Sequence, residues 1–273
     1  MSDEIRNRIR GCLLGGAAGD ALGYAIEFRK EDQIFAKYGK TGITEYELDP
    51  KSGKAVISDD TQMVLFTANG LLYGDTRGAL RGIQGPPCTY VAKAYEDWLL
   101  TQSMNYAEYG IMPEEQKKKR VSWLMDVPEL FKRRAPGNTC LSALEQRRSE
   151  REVTDDYLRL PINTSKGCGG IMRVAPIALA YPKQNPEDID IEAAQISAIT
   201  HGHSLGYMPS AVLAHILQRI VFPEKEMSLK EIVLEAKAVT ERLFRGDEHL
   251  NTLLMIIDRA VRLSENGDAD LDN

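Results

Sequence analysis

Two carboxylates, Asp59 and Asp60, stand side by side in the stretch VISDDTQM, with hydroxyls at Ser58 and Thr61. Adjacent ionised carboxylates repel one another and resist losing water. Yet Met63, Val64, Leu65 and Phe66 follow directly, so the acidic pair opens a segment that is to be buried. Two chemistries answer this. Several hard oxygen donors within one turn suit Mg²⁺ or Ca²⁺ better than a soft metal. Alternatively, Ser58 or Asp59 caps a helix and its dipole favours the negative charge. On spacing alone the cap is the more ordinary reading.

Other residues invite the same question. Asp20 and Glu27 lie two turns apart on an expected helix over residues 4–28, where both can face one way and flank a site. SKGCGGIMR places Gly167, Gly169 and Gly170 before a helix, where free amides can meet phosphate oxygens, although as a bare motif an ordinary tight turn is the more common explanation. The stretch matches neither a P-loop nor a dinucleotide fingerprint. Cys168 inside it has no local base that would make it a nucleophile. His201 and His203 in ITHGHS sit at an expected helix end and read as hydrogen-bonding residues, while His215 and His249 fall in helical patterns and read as structural.

The elements that must position these groups are helical. Apolar periodicity predicts about ten helices in an all-α fold, a single domain over 1–273. Helices are expected over 59–73, 89–102, 121–132, 187–200, 204–221, 228–244 and 248–265, with others after Asn138, a candidate N-cap, and through IMRVAPIALAY. Residues 31–57 and GDTRGALRGIQGPP read as irregular connections. Gly11, Gly15, Gly19 and Gly23 recur along one helix face, which predicts close packing by another helix.

The totals narrow the class. The 273 residues are 43% apolar and 27% charged with a formal net charge of −6, an ordinary globular composition. That balance argues against a nucleic-acid partner, and KKKR at 117–120 reads as a solvated face. Four cysteines without ligand spacing, a charged N-terminus and no span-length apolar run predict a reduced cytoplasmic protein with no membrane partner.

Taken in order, GCLLGGAAGDALGYAIEF, SDDTQM, APGNT, SKGCGGIMRVAPIAL and TH resemble the ADP-ribosylglycohydrolase family. The resemblance implies a compact multi-helix fold with two Mg²⁺ ions, Mn²⁺ being an alternative. It implies hydrolysis of the ribosyl C1″ bond of an ADP-ribosylated protein or a related ADP-ribose conjugate. Ser58, Asp59, Asp60 and Glu27 match metal ligands, and Asp60 or Glu27 would manage the proton. Gly167, Cys168, Gly169 and Gly170 match the diphosphate loop, His201 a histidine near ADP-ribose, and Asn138 a residue beside the cleft.

One motif departs. The family's late G-D-x-D-[ST] metal half-site has no match, because Gly267-Asp268-Ala269-Asp270 continues with Leu271; a calcium loop fits no better. The chain is therefore expected to span the N-terminal three quarters of the family fold and to leave some apolar helix faces exposed. Competing readings are a degenerate ADP-ribose-binding or partner-binding module and, more distantly, a metal-dependent phosphohydrolase.

Overall fold

The computed structural model describes residues 1–150 and 154–266; the late acidic stretch at 267–272 lies outside them. Among the described residues there are twelve α-helices and no strand, and the one sheet-like pairing is an isolated bridge between Leu48 and Ala55. The all-α expectation holds.

Helix α3 (Asp59–Arg81) is the central element. Its Met63 and Phe66 are wholly buried against Val91, Tyr95 and Trp98 of α4 (Pro87–Ser103). The sequence pattern suggested a break at Gly74, yet α3 continues to Arg81 and ends at Gly82, which adopts a left-handed φ of 69°. The glycines are contacts rather than breakers. A Cβ on Gly70 would lie 2.7 Å from the Cα of Val91, and one on Gly74 would lie 2.6 Å from the ring of Tyr90. Close approach between α3 and α4 requires both.

Helix α1 (Asp3–Gly23) departs further from expectation. It stops at Gly23, and Glu27 lies in the turns that follow, so Asp20 and Glu27 do not share a helix. Cβ atoms placed on Gly11, Gly15, Gly19 or Gly23 would meet nothing within 4 Å, and the predicted close packing on that face is absent among the described residues. Leu13, Ala17 and Asp20, spaced three and four apart on the other side of the helix, face α3 instead.

Short α2 (Glu31–Tyr38) falls in a segment read as irregular, and α5 (Tyr106–Gly110) and α6 (Glu114–Lys117) fall where the sequence pattern assigns no helix. The helix expected over 121–132 is two 3₁₀ turns, Trp123–Asp126 and Pro128–Leu130. Buried Asp97 takes the amides of Val121 and Ser122 at 2.8 and 2.9 Å, and Pro128 offers no N–H to continue a helix. Lys117 and Lys118 pair with Glu114 and Glu115 at the surface, as a solvated face requires.

The remaining helices are α7 (Asn138–Glu150), α8 (Ala175–Ala180), α9 (Pro186–Ala198), α10 (Ser204–Val221), α11 (Leu229–Leu243) and α12 (Leu250–Asn266). The segment before α8 is a 3₁₀ turn at Ile171–Arg173 rather than more α-helix. Helices α9 and α10 join the two apolar clusters. One is centred on α3, α4, α8 and α9, and the other places Leu250, Leu253, Leu254 and Ile257 of α12 against Met208 and Ala211. Leu14 of α1 and Met255 and Ile256 of α12 stay exposed. No helix among the described residues is long and apolar enough to cross a membrane, and all four cysteines are free.

Candidate active site

The acidic cluster is built where α1 meets the start of α3. Ser58 is the N-cap, its hydroxyl accepting the Asp60 amide at 3.1 Å, so the capping reading is correct as far as it goes. A second cap comes from outside the helix. The carboxylate of Asp20 accepts the Ser58 amide at 3.0 Å, the Thr61 amide at 3.2 Å and the Thr61 hydroxyl. With those donors satisfied elsewhere, Asp59 and Asp60 are not needed as caps.

Asp59 is 7% exposed and points toward the APGNT loop, accepting the Gly137 amide at 3.3 Å while its own amide donates to the Arg134 carbonyl at 2.9 Å. That loop holds Ala135 at a φ of 55°, a left-handed conformation that costs an alanine about 1–2 kcal/mol. Asn138 is the first residue of α7 rather than its cap. It is exposed and lines a 450 Å³ cavity with Asn163 and Ser165, at the threshold of the glycine loop.

Among the described residues no Lys, Arg or His forms an ion pair with Asp20, Glu27, Asp59 or Asp60. The consequence is electrostatic. Burial, then the charge of Asp60, raises the Asp59 carboxyl to about 7. Asp60 keeps a solvent-facing surface, but desolvation by the surrounding chain, then Asp20 and Glu27, raises it to about 6. Exposed Glu27 moves up for the same reasons, desolvation first and Asp20 second. Crowded acids that hold their protons too tightly lack positive charge.

This fixes the sign of a pH effect. A carboxyl raised in the folded state stabilises the fold most below its unfolded value, near 4, and that stability is lost as pH rises through the folded values of about 6 and 7. The melting temperature in a chelator is therefore expected to fall between pH 5 and pH 8. Added Mg²⁺ should raise it more at pH 8, where cation and proton no longer compete. An equal Mg²⁺ effect at both pH values, measured by differential scanning fluorimetry, would contradict this origin.

The donor set fits a hard divalent cation in its chemistry, with oxygen ligands, excess negative charge and no internal counter-ion. No three His, Cys, Asp or Glu side chains converge to enclose an ion among the described residues. A cavity of about 210 Å³ between α1 and α3 is lined by Asp20, Asp60 and Thr61 together with Met172. The larger groove of about 850 Å³, between α1, α10 and α11, shares none of these residues.

Met172 brings in the second group of residues. The loop before it packs against His201 and α9 with no room to spare. A Cβ on Gly170 would lie 1.9 Å from the Ser197 hydroxyl, and one on Gly169 3.0 Å from the His201 ring. The amides of Cys168, Gly169 and Gly170 have no acceptor among the described residues, whereas Gly167 leans on the Ser165 hydroxyl at 3.4 Å. Cys168 is exposed. Amides left without an acceptor can serve an anionic oxygen.

His201 is 2% exposed, and burial, then the charge of Arg173, lowers it to about 4, so it is neutral at ordinary pH. Cys140 connects the groups: its sulfur would lie 3.2 Å from a Gly169 Cβ, and its thiol is raised by burial and, more weakly, by Asp59. His203 caps α10 and stacks on His249 with ring centroids 4.4 Å apart, and His215 bonds buried Asp190 at 2.8 Å. His203 is hydrogen-bonded as read, whereas His249 lies in the turn before α12 rather than within the helix.

Sequence reasoning missed Asp20 as the outer cap of α3. It also missed Gln62, whose amide bonds the Lys132 carbonyl at 3.0 Å and steadies the approach to APGNT. Buried Arg173 was missed as well. The one available signal was a lone arginine within the apolar run IMRVAPIAL.

The chain is thus all-helical among the described residues, with acids lacking counter-ions at the start of α3 and a glycine loop whose amides lack acceptors. A model of the ADP-ribosylglycohydrolase family matches residues 1–272, and the chain belongs to that family. It is similar to the ADP-ribosyl-[dinitrogen reductase] glycohydrolase of Rhodospirillum rubrum, at 26% identity over 222 residues. The match covers 80% of this chain and 59% of that relative's length.

Proposed function

We propose that this chain acts as an ADP-ribosyl hydrolase, cleaving the bond between ribose C1″ and a protein side chain, arginine-linked, in the cytoplasm. Family membership supports the class of reaction, and the acids without counter-ions at the start of α3 carry the reading. Ser58, Asp59, Asp60 and Glu27 would hold Mg²⁺, or Mn²⁺ in its place, which supplies Lewis-acid polarisation when bound.

The chain's own groups account for the rest. The amides of Cys168, Gly169 and Gly170, left without acceptors among the described residues, would meet the diphosphate, with Asn138 beside the cleft. As the C1″–N bond breaks, positive charge develops on the ribose, and the Asp59, Asp60 and Glu27 carboxylates stabilise it. Water adds to C1″ and gives a proton to Asp60 or Glu27, and that acid returns a proton to the departing guanidine nitrogen as the C1″–N bond breaks. Both acids hold protons more tightly than ordinary carboxyls, which suits that exchange.

The test is release of free ADP-ribose from ADP-ribosylated arginine with and without Mg²⁺. Mg²⁺-dependent release is expected. Binding of ADP-ribose without release favours the second reading, a binding module, which the absence of three convergent ligands among the described residues supports. Release of phosphate from a nucleotide with no cleavage at C1″ would instead favour a phosphohydrolase.

A further inference from the structure

Arg173 has no exposed surface, and no carboxylate forms an ion pair with it among the described residues. Its guanidinium is held by softer partners. It lies 4.5 Å over the Tyr95 ring, meets Met63 and Cys140 sulfurs at 3.4 and 3.6 Å, and bonds the Ile196 carbonyl at 3.3 Å. Ile196 and Ser197 belong to the last turn of α9, where the helix dipole stabilises a cation. Its shortest bond is to the Thr200 hydroxyl, at 2.6 Å.

That bond determines where a proton sits two groups away. A guanidinium only donates, so the Thr200 oxygen accepts from Arg173 and keeps a single hydrogen to give. Two acceptors are in reach: His201 Nδ1 at 2.9 Å and the Cys140 sulfur at 4.0 Å. A thiol sulfur at that distance is a poor acceptor, so the hydrogen goes to Nδ1. Nδ1 then carries a lone pair and the ring proton resides on Nε2. In the opposite tautomer Thr200 would accept twice, leaving its own hydrogen without a good partner in a fully buried site.

The Nε2 edge faces the glycine loop, 3.4 Å from a Cβ placed on Gly167 and 3.3 Å from one on Gly169, and it has no hydrogen-bond partner among the described residues. The buried imidazole therefore has one nitrogen anchored on Thr200 and the other unpartnered beside the glycine loop. We propose that Arg173 and Thr200 are positioning residues that hold His201 neutral with its proton on Nε2, so that it donates to an anionic phosphate oxygen over the Gly167–Gly170 loop. The identity of that ligand rests on the ADP-ribose reading; the tautomer does not.

The direct test is long-range ¹H–¹⁵N spectroscopy on the full chain carrying ¹⁵N-histidine, with His201→Gln assigning the signal among four histidines. The wild type is expected to show a protonated Nε2 and an unprotonated Nδ1 at pH 7. Thr200→Ser should keep that pattern and Thr200→Val should mix the tautomers. An Nδ1–H or imidazolium pattern in the wild type overturns the proposal, and it needs no variant to be folded. So does an unchanged pattern in a folded Thr200→Val.

Calorimetric titration with ADP, with adenosine as the uncharged control, tests the donor role. Thr200→Val is expected to weaken ADP by about tenfold, the value of one hydrogen bond to a charged group, and Thr200→Ser to restore it. ADP binding unaffected in Thr200→Val would overturn the donor role. Wild type with the Nε2–H pattern that binds no ADP would overturn the phosphate ligand and the loop reading together, a result separable from failure of the tautomer.

Discussion

Replacing Asp60 with alanine is expected to lower ADP-ribose release from ADP-ribosylated arginine by about 10²–10³-fold, the scale of removing one preorganised group from a transition state. The same change is expected to leave the fold intact and raise the melting temperature in a chelator. Ser58 and Asp20 already satisfy the first amides of α3, so Asp60 has no capping duty to lose. What disappears is a carboxyl that desolvation, then repulsion with Asp20 and Glu27, raises to about 6. Activity and stability therefore move in opposite directions, as at sites that hold strain for function. A destabilised Asp60→Ala with activity reduced only in proportion to its folded fraction would make Asp60 an ordinary structural acid. Ser58→Ala should show the reverse balance in stability, losing about 0.5–2 kcal/mol with its cap.

Gly170→Ala is the second large effect, and it falls on stability first. The new methyl would overlap the Ser197 hydroxyl, which is wholly buried and bonded to the Gly206 carbonyl at 3.0 Å. Neither side can yield without moving the loop or the junction between α9 and α10. A loss of about 2–3 kcal/mol is expected, at the upper end for overpacking, with a fall of roughly 5–10 °C in melting temperature. Ser197→Ala in the same chain should recover about 1 kcal/mol through a coupling that separated sites lack. It should not recover all, because the Ser197 Cβ would remain 3.0 Å from the new methyl. Strict additivity by thermal denaturation would show that the clash relaxes elsewhere.

Much of the fold was legible because apolar periodicity is a local property. The starts of α3, α9, α10 and α11 follow from capping or proline signals at Ser58, Asn185 with Pro186, His203 and Ser228, all close in sequence to what they cap. The misreadings cluster at glycines. In α3 Gly74 looked like a breaker, yet it and Gly70 admit α4; in α1 the glycine stripe looked like a seam, yet it packs on nothing described. Glycine reports that a Cβ is unwanted but not which neighbour excludes it, because that neighbour is distant in sequence.

The candidate site divides along the same line. Sequence alone determined that Ser58, Asp59 and Asp60 open a buried helix and that the Gly167–Gly170 loop precedes another helical segment. These follow from residue type and spacing. Only the tertiary structure decided that Asp20 crosses from α1 to cap α3, freeing Asp59 and Asp60 from that duty. It alone placed Arg173 beneath Thr200 and His201. Hydrogen bonds and Coulomb forces act over a few ångströms of space, whatever the separation along the chain. Which acids share a field, and which nitrogen of a histidine keeps its proton, is therefore settled by packing.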